Sequence, residues 1–92
     1  MPQVLAEPLQ PVHDVGMDEN RVALGRAVRD ARIRLGMTQA QLSSAAGLSR
    51  ATIQSLERGG VIRPQTLIKI DGLLGWAPGS GQGILDGADA PV

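Results

Sequence analysis

The chain contains no cysteine, tyrosine or phenylalanine, and only one histidine, one tryptophan and one lysine among its 92 residues. Without cysteine there are no disulfide staples, no thiolate metal ligands and no sulfur nucleophile, which accords with a reducing cytoplasm. The lone His13 cannot build a metal site by itself. Aromatic residues make up 1% of the chain against 42% hydrophobic residues overall. A core must therefore be filled by Leu, Ile, Val and Ala, the residues of packed short helices. No apolar run approaches the roughly 18 to 20 residues of a membrane span, and no basic patch leads into an apolar stretch at the start. The length leaves room for one small domain and little for a catalytic cleft. The expected fold is all-α, a compact bundle of about five short helices, in a soluble cytoplasmic protein.

Formal charge is also absent overall, since nine basic and nine acidic residues cancel. The cancellation is uneven along the chain. All nine cations lie between Arg21 and Lys69, a stretch that holds only two acids, Asp30 and Glu57, while the other seven acids occupy the two ends. A basic centre between acidic flanks is the distribution that permits a polyanionic partner despite a net charge of zero. The flanking acids serve either as plain solubilising residues or as a brake on non-specific binding. Eight arginines beside a single lysine point to a GC-rich genome.

Pro2, Pro8 and Pro11 interrupt the first 18 residues, where no helical period is sustained, so residues 1–18 are expected to form a flexible arm without a helix of useful length. Residues 87–92 are expected to be a loose tail. Between them, 19–86 reads as one domain. Leu24, Ala27, Val28, Ala31 and Leu35 recur at helical spacing, with Arg26, Arg29 and Arg34 off that stripe, and Gly36 suits the helix end. Thr38 and Gln41 form a Thr-x-x-Gln capping box for a second helix, which is expected to bury Leu42, Ala45 and Ala46 before a sharp turn at Gly47. Ser49 caps a third helix running to about Arg58, stopped by Gly59 and Gly60. Pro64 opens a fourth, with Leu67, Ile70, Leu73 and Leu74 on its apolar face. Ser80 is expected to cap a short fifth helix ending near Asp86. Gly81 and Gly83 weaken that helix by about 1 kcal/mol each relative to Ala, so packing has to hold it. Trp76 reads either as a core plug in the turn before this helix or as an exposed anchor at a protein contact.

The run from Thr38 to Arg58, TQAQLSSAAGLSRATIQSLER, places two short helices about a tight turn, with small or glycine residues at Ala45 and Gly47 and aliphatic pins at Ile53 and Leu56. At 100° per residue, Arg50, Gln54, Arg58, Ala51 and Ser55 share an arc of about 140° from which Ile53 and Leu56 point away. A helix greasy on one side and lined with Arg, Gln and Ser on the other suits the major groove. There Arg can bond guanine N7 and O6 in bidentate fashion, and Gln can bond the edge of adenine.

This run, with RLGMTQ before it and RPQTLIKI after it, resembles the Cro and phage repressor (Xre-like) helix-turn-helix family over roughly Ala23 to Leu74. The resemblance implies that Arg50, Ala51, Gln54 and Ser55 face base edges. It further implies that Gln39, at the start of the first motif helix beside its cap Thr38, contacts phosphate, and that Arg58 and Arg63 approach the backbone. It also implies a partly buried, structural salt bridge between Arg32 and Glu57. Lambdoid relatives often carry Gln where this chain has Arg50, packed on the Gln equivalent to Gln39, so Arg50 is expected to read a guanine directly instead.

The function these expectations describe is sequence-specific binding of double-stranded DNA by a transcriptional regulator, as a repressor and homodimer on a palindromic site, in a bacterial or phage setting. One recognition helix reads few base pairs, and two copies about 34 Å apart supply the remaining specificity. The dimer contact is expected within Trp76 to Leu85. With no sensing domain in view, release of a repressor would fall to dissociation, degradation or a partner protein. Two other classes are weighed. A protein-interaction module, such as an antitoxin-like subunit or adaptor, would keep the fold and bind a protein partner. An enzyme would need a general base, and neither Lys69 nor His13 stands in such an arrangement. No enzymatic activity, cofactor or metal is expected.

Overall fold

The computed structural model describes residues 6–91. It has five helices: α1 (Ala6–Arg34), α2 (Gln39–Ala46), α3 (Arg50–Glu57), α4 (Pro64–Leu73) and α5 (Ser80–Leu85). Among the described residues there is no strand. The apolar stripes of all five meet in one core: Leu24, Val28 and Ala31 of α1, Leu42 and Ala46 of α2, Ile53 and Leu56 of α3, Leu67 and Ile70 of α4 with Leu74 beyond its end, and Ile84 of α5. Each fully buried Leu or Ile contributes roughly 1.5–3 kcal/mol. α1 lies against α3 and α5, α2 against α3 and α4, and α4 against α5.

The caps do the local work. Thr38 Oγ1 accepts from the Gln41 N–H at 3.0 Å while Gln41 Oε1 accepts from the Thr38 N–H at 2.8 Å, closing the capping box reciprocally. α2 ends at Gly47, whose φ of 70° lies in the left-handed region where a β-carbon is penalised. Two residues later Ser49 Oγ accepts from the Thr52 N–H at 3.1 Å and starts α3. A turn so short, with a cap on each side, restricts how α2 and α3 can be set against each other.

Four local expectations are corrected. The first helix does not begin near Glu19. Of the arm expected over residues 1–18, residues 1–5 lie outside the described residues, and from Ala6 onward the backbone is already helical. Pro8 sits in the first turn, where no N–H is needed, and Pro11 removes one backbone bond without ending the helix. Leu35 is 53% exposed, because α1 stops at Arg34 and the chain turns away at Gly36 before the stripe can continue. In α2 the small residue buried alongside Ala46 is Ser43 and not Ala45, which is exposed. Leu42 and Ala46 lie about 40° apart around the helix, with Ser43 and Ala45 flanking them symmetrically, so spacing alone does not choose between the two, and the seating of α2 on α3 and α4 buries the Ser43 side. Ser43 satisfies its hydroxyl by donating to Ala40 O at 2.9 Å.

The fourth correction concerns α5. Its N-cap position is Gly79, with Ser80 the first helical residue, and Ser80 Oγ donates back to Ala77 O. The capping is done from α4 instead. The carboxylate of Asp71, fully buried, accepts from the Gly79 N–H at 2.8 Å and the Gly81 N–H at 3.0 Å. At Gly81 a β-carbon would lie 2.7 Å from Leu67 Cδ1 and 2.8 Å from Asp71 Oδ1, so the glycine is there for space. Trp76 is half-buried and packs against the core. Asn20 Nδ2 donates to Leu85 O at 2.9 Å and ties the end of α5 to α1.

Candidate nucleic-acid interface

The site begins with the amphipathicity of α3. Ile53 and Leu56 are sealed in the core, 0% and 1% exposed, so the opposite arc of the helix must face outward. Arg50, Ala51, Ser55 and Arg58 are exposed there and Gln54 is half-buried between them. Arg50 occupies the first helical position after the Ser49 cap, and Arg58 ends the helix as its C-cap. The reading edge is thus an outward row of mainly polar side chains on a short element, with the backbone of Gly60 packed beside Ser55 at its far end. Arg63 is also exposed, at the N-cap of α4, which has no side-chain cap of its own.

Behind α3 lies a polar hub. Arg32 Nε donates to Glu57 Oε2 at 2.6 Å and Arg32 Nη2 to Glu57 Oε1 at 3.0 Å, a bidentate pair whose side chains are 10% and 5% exposed. Arg32 Nη1 donates to Met37 O at 2.8 Å, so one guanidinium joins α1, the turn before α2 and the end of α3. The hydrogen bond to Glu57 holds the Arg32 guanidinium above its ordinary pKa, opposed by partial burial and helped by the carboxylate charge. Gln39 joins the same hub, with Nε2 donating to Glu57 Oε1 at 3.1 Å. Thr38, exposed, spends its acceptor on its own helix and retains a hydroxyl proton.

Geometry therefore divides the residues singled out from sequence into two sets. Arg50, Ala51, Gln54, Ser55 and Arg58 form an outward arc, whereas Arg32, Glu57 and Gln39 form one inward network. Two contributors escaped the sequence reading. Gly25 brings α1 against the end of α3 so closely that a β-carbon there would sit 2.6 Å from both Leu56 O and Glu57 O. The bond from Gln39 to Glu57 joins residues 18 apart in the chain. Neither has a local signature, since each is defined by a neighbour on another helix.

Two capped helices about a tight turn, the second presenting a polar arc, define a helix-turn-helix module. Residues 28–77, more than half of the chain, match the helix-turn-helix family. The chain belongs to the Cro/C1-type, Xre-like helix-turn-helix family, a family of DNA-binding regulators. No curated protein matches it. Among the described residues, no helix is long and apolar enough to cross a membrane, and no group of three or more His, Asp or Glu could hold a metal ion.

Proposed function

We propose that this protein is a sequence-specific transcriptional regulator, a repressor, that lays α3 in the major groove and acts as a homodimer on a palindromic site. The observation that carries the reading is the outward arc of α3, where Arg50, Ala51, Gln54 and Ser55 stand clear of the core that holds Ile53 and Leu56. Arg50 reads guanine in bidentate fashion, Gln54 bonds a base edge, and Ala51 and Ser55 contact neighbouring edges. Thr38 and Gln39 at the start of α2, with Arg58 and Arg63 beyond α3, hold phosphates and set the register of the helix in the groove. Two copies are needed because one such helix spans few base pairs, and half-sites about 34 Å apart place both reading helices on one side of the duplex.

Selection of bound duplexes from a random pool tests this directly. The expected product is a site with two inverted half-sites, in which one guanine position loses its preference with Arg50→Ala while the other positions keep theirs. Recovery of no consensus, or an unchanged preference in the variant, would refute the reading.

A further inference from the structure

We infer that Glu57 is a positioning residue for DNA: through Gln39 it sets the phosphate contact made at the start of α2, and it is more than a bolt between helices. The inference rests on the proposed reading of DNA by this module. Glu57 sits at the end of α3 with its carboxylate turned inward, and its place is fixed by the Arg32 fork at 2.6 and 3.0 Å. That fork is in turn fixed by Met37 O at 2.8 Å, immediately before the Thr38 cap. Glu57 Oε1 then accepts one N–H of the Gln39 amide at 3.1 Å.

An unbranched glutamine at the first position of a helix would otherwise sample many rotamers, and ordering it on DNA would cost entropy. Here one amide hydrogen is already committed to the protein. The second remains for a phosphate, at the helix end whose dipole favours an anion. Arg32 is essential to this arrangement, because a bare carboxylate behind Gln39 would repel the phosphate that Gln39 is meant to meet. The same network locks the start of α2 to the end of α3, so that the phosphate contact and the reading arc keep one spacing. It also leaves Arg50 unencumbered by Gln39.

The test is a double-mutant cycle on the full chain, using a duplex recovered by selection and scanned with single methylphosphonate substitutions. Gln39→Ala is expected to weaken binding up to about tenfold per copy, the worth of one well-placed hydrogen bond, and so up to about a hundredfold for the dimer. In a Glu57→Met background, which keeps the side-chain length but removes both acceptor oxygens, the same change is expected to cost less than about twofold per copy, because the amide is already unmoored. The phosphate that Gln39 contacts, whose neutralisation weakens wild-type binding, becomes silent in both variants, while the phosphates held by Arg58 and Arg63 stay sensitive. An equal penalty for Gln39→Ala in both backgrounds, or a phosphate scan that Glu57→Met leaves unchanged, overturns the inference while leaving DNA binding intact. If no duplex is bound at all, the underlying reading fails and the inference with it. Should Glu57→Met fail to fold by circular dichroism, Arg32→Lys keeps a cation but loses the fork, and is expected to silence the same phosphate. Undiminished sensitivity at that phosphate in Arg32→Lys overturns the inference equally.

Discussion

Arg32 and Glu57 illustrate how a single pair of side chains can carry two obligations. Their charges are 10% and 5% exposed, so removing one leaves the other without water to replace its partner. Glu57→Ala is accordingly expected to lower stability by about 3 kcal/mol, visible as a shifted urea midpoint at unchanged slope. An unmoved midpoint would mean that the guanidinium finds solvent freely. The pH dependence follows from the sign of the shift. Because the folded-state pKa of Arg32 is raised, its contribution is complete below the unfolded value and is lost only as the pH climbs through the raised one. Between about pH 6 and 9 the melting temperature should therefore show no inflection from this group, and one appears only in strong alkali. Among the described residues Asp71 is the other buried carboxylate. It has two backbone N–H partners, which satisfy it without any cation.

At the scale of elements, α4 and α5 show that the same residue type can be necessary in one helix and dispensable in another. Gly81 fills a gap in which a β-carbon would press to 2.7 Å on Leu67 and 2.8 Å on Asp71, whereas Gly72 faces solvent with nothing within 4 Å. Gly81→Ala is expected to destabilise the protein by about 1–3 kcal/mol through overpacking and displacement of the Asp71 cap, despite alanine's better helix propensity. Gly72→Ala is expected to stabilise it by up to about 1 kcal/mol, because propensity is all that changes. Chemical denaturation of the two variants side by side measures both. Opposite signs are the required result, and a stabilised Gly81→Ala would mean that α5 is not seated on α4 as described.

At the scale of the whole molecule, charge is distributed to suit one partner. The basic centre coincides with the helix-turn-helix, while the acids lie mainly toward the two ends. In the proposed dimer, Arg58 and Arg63 make four cationic phosphate contacts. Affinity for the selected duplex should therefore fall by about two orders of magnitude between roughly 50 and 200 mM salt. Titration of a labelled duplex at several salt concentrations measures the slope. A flat profile would favour an apolar protein partner over DNA.

The features read correctly from residues alone are those whose causes lie within a few positions of one another. The Thr38–Gln41 box, the Ser49 cap, the turn at Gly47, the start of α4 at Pro64 and the inward face of α3 all depend on spacings of one to four residues, the reach of a helical turn. The extent of α1 is not legible in the sequence, because Pro8 and Pro11 forbid only individual hydrogen bonds and a helix can tolerate such losses near its start. Burial of Ser43 in place of Ala45, capping of α5 by Asp71, the close approach at Gly25 and the hold of Glu57 on Gln39 were decided only when separate helices met. Local chemistry tells the chain where to coil and where to turn. Which polar atom then finds which partner depends on crossing angles and distances that come into being only once the core has closed.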